Sequence, residues 1–138
     1  MRIVAIDFGT KRVGLAISDP DEKLALALPM YEWQEDGNDA ARLAGIAEEA
    51  GAQEIVVGLP INMDDTIGPS AKRVLSFVEE LRQFAGVPVE TWDERLSSEE
   101  ARARLRDVEL SRRRKREHTN TVAAQVILEG YLQARRTR

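Results

Sequence analysis

Acidic residues in this sequence stand at two places where a strand is predicted to end, a placement that suits metal-dependent chemistry. Asp7 closes the apolar run Ile3–Ile6, and Asp93 and Glu94 follow the last predicted strand. Mg²⁺ and Mn²⁺ prefer such hard oxygen ligands, and phosphoryl transfer with two cations needs several carboxylates that converge. Each acid alone could equally serve its own turn, Asp7 as an Asx-turn and Asp93 or Glu94 as a partner of Arg95. The combination, rather than any one acid, indicates a metal site.

Asn120 falls in the first turn of the last predicted helix. An acid here would complete a set of ligands, whereas Asn offers only a neutral carbonyl oxygen. Thr119 and Asn120 are both good N-cap residues, so the residues alone favour a simple capping role. His118 is the single imidazole; it could move a proton, but a lone exposed His is more often only a polar residue.

Positive charge is concentrated in the C-terminal third of the chain. Residues 1–94 have 8 Lys and Arg against 18 Asp and Glu, whereas residues 95–138 have 12 against 6. An Arg-rich segment of one sign indicates contact with phosphates. Aromatic residues are only 5% of the chain, which favours recognition of the backbone and shape of structured nucleic acid over base stacking. The candidate nucleic-acid-binding residues are Lys11, Arg12, Arg95, Arg112, Arg113, Arg114, Lys115 and Arg116.

The connection at residues 59–69 is long for a loop between a strand and a helix, and long loops in compact domains are often functional. Asn62, Thr66 and backbone N–H groups could meet phosphates near the N-terminus of the next helix. Asp64 and Asp65 oppose direct contact with an anion unless a cation intervenes. A loop with no part in binding is equally compatible with these residues.

Composition limits the class of protein. A chain of 138 residues predicts one domain over 1–138, and 43% hydrophobic with 32% charged residues excludes a disordered or collagen-like protein. With no Cys and one His, thiolate and His-rich zinc sites are excluded. No apolar stretch approaches the roughly 20 residues of a membrane span, and the N-terminus has no signal pattern. We therefore expect a cytoplasmic protein without a membrane partner.

The order of the predicted strands and helices, which must position these candidate site residues, indicates an α/β fold. Three strands come first, and the first two are too close in sequence for a parallel crossover, so they form an antiparallel meander. Helices then alternate with two further strands, which predicts parallel pairing and helices on both faces. The expected sheet is five-stranded and mixed, antiparallel in strands one to three and parallel in strands four and five. Ligands of such sheets bind outside the carboxyl ends of the parallel strands.

Helical spacing predicts the apolar faces of the helices. The residues in register on the helix after Pro69 are Val74, Leu75, Val78, Leu81 and Arg82. A capping box predicts a short helix over Ser97–Arg106. The last helix, from about Thr119 to Arg135, is predicted to bury Val122, Val126, Ile127, Leu128 and Tyr131.

With these residues assembled, the chain resembles the RuvX/YqgF family, whose members look like the RuvC Holliday junction resolvases and are described as pre-16S ribosomal RNA nucleases. Four ordered motifs carry the resemblance: Asp7–Ala16, Val57–Asp64, Trp92–Ser98, and Ala123-Ala124 with Ile127-Leu128. The resemblance implies a ribonuclease H-like fold, Mg²⁺ or Mn²⁺, and hydrolysis of phosphodiester bonds in pre-16S rRNA or branched DNA. A resolvase needs a symmetric dimer to cut two strands, whereas an RNA-trimming enzyme can act as a monomer.

The same resemblance assigns the metal ligands. The family's acids fall on Asp7 and Glu94, and its third acid falls on position 120, where this chain has Asn. Either the chain lacks one ligand naturally, or an acid has been replaced, and loss of its charge should weaken cation binding. Two other functions stay open. One is a nucleic-acid-binding module without turnover; the other is an actin-like phosphotransfer domain, which shares the Asp-x-Gly-Thr turn but needs two such domains.

Overall fold

The computed structural model of the protein describes residues 1–96 and 119–136, with the backbone alone for residues 119–121. The elements follow in the order β1 (Ile3–Phe8), β2 (Arg12–Ser18), β3 (Ala25–Glu32), α1 (Asp39–Glu49), β4 (Glu54–Leu59), α2 (Pro69–Phe84), β5 (Val89–Asp93), a 3-10 turn (Glu94–Leu96) and α3 (Thr119–Arg136). The helix predicted over Ser97–Arg106, the basic residues 112–116 and His118 lie outside the described residues.

The five strands form one sheet in the order β3-β2-β1-β4-β5. Strands β1, β2 and β3 pair antiparallel, whereas β4 pairs parallel with both β1 and β5. The predicted α/β class and its mixed sheet are therefore confirmed. Each parallel strand is reached through a helix, α1 before β4 and α2 before β5, as parallel pairing requires a long connection.

Helices cover both faces of the sheet, which explains why β1 and β4 are continuous apolar runs rather than alternating ones. Helices α1 and α2 pack on one face, where Leu43 and Val78 meet Val4 and Ile55 in one core cluster. On the other face α3 packs against a second cluster of buried residues: Ile3, Ala5, Ala16, Val56, Ala124, Ile127, Leu128, Tyr131 and Leu132. No described helix combines the length and the apolar character needed to cross a membrane.

Two predicted core positions are wrong. In α2 the buried residues are Ala71, Val74, Val78 and Leu81. Leu75 is 38% exposed because it lies one residue, about 100° of helix rotation, away from that stripe. In α3 the prediction holds for Val126, Ile127, Leu128 and Tyr131, but Val122 is only half-buried.

Candidate active site

The carboxyl ends of β1, β4 and β5 meet at one edge of the sheet. Ile6 pairs with Val57, and Gly58, the next residue of β4, pairs with Trp92. Because neighbouring strands lie about 4.8 Å apart, Asp7 at the end of β1 lies beside Gly58. The sheet therefore brings Asp7 to the edge where the chain leaves β5 and enters the turn that contains Glu94.

The carboxylates of Asp7 and Glu94 lie on the same face of the sheet. Alternation along β1 places Asp7 on the side of Ile3 and Ala5, the side that α3 covers. The Oε2 atom of Glu94 lies 2.9 Å from the point that a Cβ on Gly58 would occupy, on that same side. Strand register and alternation therefore put Asp7 and Glu94, 87 positions apart in the sequence, on the same face and at the same edge of the sheet.

Gly58 is a residue of this site that sequence reasoning missed, since it was interpreted only as part of a strand end. A Cβ at Gly58 would also lie 2.3 Å from the Cδ1 atom of Ile127, far inside van der Waals contact. The absence of a side chain lets α3 and the turn of Glu94 approach β4 together. The one available signal was the glycine itself, because a Gly inside a strand often marks a close approach.

Helix α3 runs antiparallel to β4 across this face. The Tyr131 hydroxyl donates a hydrogen bond to Glu54 at the start of β4, whereas Ile127 lies over Gly58 near its end. The first turn of α3, which contains Asn120, therefore lies toward the carboxyl edge of the sheet. The side chain of Asn120 is outside the described part of the chain.

The donor set at this edge fits a hard cation with water or substrate among its ligands. Within residues 1–96 and 119–136 no group of three or more His, Cys, Asp and Glu comes together, so Asp7 and Glu94 supply a pair of carboxylates rather than a full acidic cage. Mg²⁺ is commonly held by one or two carboxylates, several waters and substrate phosphates. An Asp and a Glu at one edge of the sheet therefore fit the usual donor chemistry of Mg²⁺ or Mn²⁺.

Asp93 has a different environment from its neighbour Glu94. Its carboxylate accepts hydrogen bonds from Nε and Nη2 of Arg95 at 3.1 and 2.8 Å, and the Arg95 guanidinium holds the pKa of Asp93 below its ordinary value. The pairing with Arg95 that the sequence left open for both acids is thus observed for Asp93. Arg95 also bridges to Asp65 at 2.8 Å.

The loop at residues 59–69 is held together by its own side chains. Asn62 Nδ2 donates to Thr66 Oγ1 at 2.8 Å, and Thr66 Oγ1 donates to Asp64 Oδ1 at 2.6 Å. The latter bond is the main reason that the pKa of Asp64 is lowered. Asn62 and Thr66, predicted to meet phosphates, therefore bond to one another at the rim of the site.

The turn between β1 and β2 contains Lys11, and Arg12 begins β2, so both cations follow Asp7 by four and five residues. Lys11 is exposed and Arg12 is half-buried. Trp33 Nε1 donates to the Gly9 carbonyl at 2.9 Å, and the Trp33 ring stacks on Phe8 with centroids 5.6 Å apart. Trp33 was not predicted from the sequence, yet its hydrogen bond stabilises the turn that contains Lys11 and leads into Arg12.

Comparison with known proteins gives the family. The family model RuvX, described as a Holliday junction resolvase, matches residues 1–134. A relative from Symbiobacterium thermophilum, named as a proposed pre-16S rRNA nuclease, is 44% identical over 138 residues, which is all of this chain and 96% of the relative. One from Anaeromyxobacter dehalogenans with the same name is 43% identical and covers 98% of each chain.

Solved structures agree on the fold. Thermus thermophilus RuvC in complex with a Holliday junction substrate matches with a TM-score of 0.67 at 18% identity, covering 99% of this chain and 96% of RuvC. The fowlpox virus Holliday junction resolvase matches with a TM-score of 0.61 at 13% identity, covering 97% and 99%. These likenesses show a ribonuclease H-like fold, and the match of family model and relatives over nearly the whole length shows that this chain belongs to the RuvX family of nucleases.

Proposed function

We propose that this chain is a metal-dependent endonuclease that hydrolyses phosphodiester bonds in structured nucleic acid. The proposal is supported by the strand register, which puts Asp7 next to Gly58 in the sheet, and by Glu94 Oε2, which lies 2.9 Å from the point that a Cβ on Gly58 would occupy. We assign Asp7, Glu94 and Asn120 as the ligands of Mg²⁺ or Mn²⁺. In a sheet of this kind, ligands bind outside the carboxyl ends of the parallel strands, and we therefore expect the metal ligands of this RuvX family member there.

The chemistry divides between the cations and the chain. Bound cations lower the pKa of an attacking water and stabilise the leaving oxygen. Asp7 in β1 and Glu94 in the 3-10 turn after β5 supply the negative charge that would hold them. Asn120 contributes a neutral carbonyl oxygen, so the site has one negative charge fewer than an all-acid set.

Basic residues supply the contacts to the nucleic acid in this proposal. Lys11 in the turn after β1 and Arg12 at the start of β2 contact phosphates that flank the scissile bond in this proposal. The run Arg112–Arg116, outside the described residues, adds positive charge next to the site in sequence. Contacts of this kind read backbone and shape rather than base identity.

Precursor 16S rRNA is the first candidate substrate, because relatives more than 40% identical over the full length are named for it. A four-way DNA junction is the second, because the matching family model is described as a Holliday junction resolvase. The first can be processed by a monomer, whereas the second requires a homodimer to cut two strands symmetrically.

Side-by-side cleavage assays test the proposal. An end-labelled pre-16S rRNA fragment and a four-way junction are incubated with the protein in Mg²⁺, in Mn²⁺ and in a chelator. We expect cleavage of at least one substrate that stops in the chelator and in the Asp7→Asn variant. Equal cleavage by wild type and Asp7→Asn would contradict the assigned site.

The same assay separates the other candidate functions. Binding that persists without cleavage in Mn²⁺, even after Asn120→Asp, would identify a binding module without turnover. Thermal protection by ATP, together with absence of cleavage, would favour an actin-like phosphotransfer domain. Each of these results would overturn the endonuclease proposal.

A further inference from the structure

Arg95 was predicted from the sequence to contact phosphates, but acceptors of this chain surround its guanidinium. Nε and Nη2 donate to the Asp93 carboxylate, while Nη1 donates to the Asn62 carbonyl at 3.0 Å and to Asp65 Oδ1 at 2.8 Å. All three guanidinium nitrogens therefore have partners within the protein. The side chain of Arg95 is 25% exposed, which leaves little of the fork for a ligand.

The partners of Arg95 come from two separate parts of the site. Asp93 ends β5, whereas Asn62 and Asp65 belong to the loop that follows β4, some 30 positions earlier in the chain. The Arg95 backbone N–H also donates to Asp93 Oδ1 at 2.9 Å, which fixes the chain direction through the intervening residue Glu94. One side chain thus connects the loop to the turn that holds a proposed metal ligand.

The local charge also disfavours a phosphate at this position. Asp93 and Asp65 together outweigh the single positive charge of Arg95, so a phosphate would have to displace a carboxylate at 2.8 Å. Asp65 is 83% exposed and has a φ of 72°, a left-handed conformation that an L-residue other than Gly adopts only at some cost. The loop keeps this conformation with Asp65 directed at Arg95.

We propose that Arg95 is a positioning residue, which holds the Glu94 turn and the 59–69 loop in one arrangement and does not bind the substrate backbone. This inference rests on the proposed function, since it assigns Arg95 a part in orienting a metal ligand. It predicts effects on metal affinity and kcat rather than on the electrostatic part of nucleic-acid binding.

The first test compares Arg95→Lys and Arg95→Gln with wild type in two assays that need no cleavage. Lys keeps the charge but cannot bridge three acceptors in a fork. We expect Mn²⁺ affinity of the protein alone, measured by calorimetry, to fall by about 10-fold, in the range seen when residues that orient a metal ligand are removed. We expect the Arg95→Gln variant to leave the salt dependence of junction binding unchanged between about 50 and 200 mM salt.

A phosphate contact would give the opposite pattern. Loss of one such contact lowers the slope of log affinity against log salt by about 0.9 on duplex DNA. Lys11→Gln, at a position assigned to phosphate binding, is the positive control for that change. A reduced slope for Arg95→Gln with unchanged Mn²⁺ affinity would overturn the proposal. In cleavage assays a positioning role lowers kcat by about 10-fold or more with little change in KM.

A second variant keeps the test decisive if Arg95 variants fold poorly. Asp65→Asn removes the carboxylate at the exposed end of the clamp, and Asp64→Asn is its control, with the same loss of charge next to it but no bond to Arg95. We expect Asp65→Asn to weaken Mn²⁺ affinity and Asp64→Asn to leave it unchanged. Tighter junction binding by Asp65→Asn alone would show that Asp65 was competing with a phosphate for Arg95.

Failure of this inference is distinguishable from failure of the proposed function. If the wild type cleaves neither substrate, the endonuclease proposal fails, while metal affinity and the salt slope still report on Arg95. If the wild type cleaves and Arg95→Gln changes only the slope of log affinity against log salt, the endonuclease proposal is supported and the positioning role of Arg95 is contradicted.

Discussion

The two ends of helix α3 meet acidic residues of the sheet in opposite ways. At its C-terminal end, the buried carboxylate of Glu54 accepts a hydrogen bond from the Tyr131 hydroxyl and lies 3.5 Å from Nη1 of Arg135, which also bonds Glu22 at 3.0 Å. Toward the N-terminal half of α3, Ile127 packs over Gly58 near the end of β4.

The difference concerns where each carboxylate lies in the sheet. Glu54 begins β4, where a cation and a hydroxyl of α3 balance its charge and attach the helix. Asp7 and Glu94 lie toward the opposite, carboxyl edge of the sheet, where ligands of such folds bind. We therefore interpret the C-terminal end of α3 as structural and the edge of the sheet at Gly58 as functional.

The largest expected effect is on the site acids. Asp7→Asn and Glu94→Gln should each lower cleavage by on the order of 100-fold or more, because residues that only orient a metal ligand already cost 10- to 100-fold when removed. Thermal melting of each variant is measured beside its rate, so that loss of the fold is not mistaken for loss of a metal ligand. Glu54→Gln is the matched control, expected to lose about 2 kcal/mol of stability and to keep its kcat per folded molecule. The reverse pattern in melting and rate measurements would remove the distinction between the two ends.

Gly58→Ala should be the next largest effect. The new methyl group would meet Ile127 and Glu94 at 2.3 and 2.9 Å, so α3 or the turn must move. We expect a loss of about 1–3 kcal/mol from overpacking, together with reduced cleavage. Gly45→Ala is the control: it lies in α1, where a Cβ meets nothing within 4 Å, and it should be neutral or stabilising. Denaturant unfolding measures the stability of both variants. An unchanged free energy of unfolding for Gly58→Ala would mean that α3 and the Glu94 turn do not pack tightly against Gly58.

Asn120→Asp tests whether position 120 belongs to the metal site. A third negative charge should raise Mn²⁺ affinity by roughly 10-fold, about 1.4 kcal/mol, and raise the rate of cleavage with it. Calorimetric titration with Mn²⁺ and single-turnover cleavage measure the two quantities. If affinity and rate are the same in Asn and Asp proteins, position 120 has no part in the metal site.

The smallest effect is a pH dependence at the structural end. Burial and the hydrogen bond to Glu54 raise the pKa of Tyr131 to about 12, above the ordinary value of 10. Since the protonated form is favoured in the folded state, this contribution to stability is complete below pH 10 and is lost as the pH rises from 10 to 12. Tyr131→Phe should cost about 1 kcal/mol at neutral pH and remove that loss.

The chain has 2 Tyr, which makes the titration simple to assign. After Tyr131→Phe the remaining phenolate signal belongs to Tyr31, whose pKa is also raised, mainly by burial, beside Asp39 at 2.5 Å. An ultraviolet titration that shows Tyr131 ionising near its ordinary value would contradict the buried pairing with Glu54.

Much of the fold could be predicted from the sequence because its signals are local. Continuous apolar runs predicted strands covered on both faces, and Pro69 begins α2 as its position before an apolar stripe indicated. Gly51, two residues after α1 ends at Glu49, has a φ of 82°, the left-handed conformation in which glycine commonly ends a helix. Asp7 could be placed at a strand end for the same reason: the apolar run stops there.

Only the tertiary structure decided which residues meet. A single sequence does not tell that Gly58 is crossed by Ile127, that Trp33 holds the turn after Asp7, or that Arg95 is bonded to a loop some 30 positions away. Periodicity reports the apolar face of one element, whereas the part that a charged side chain plays depends on the groups within about 4 Å of it in space. Those groups are brought together by packing between elements, and local patterning contains no record of that packing.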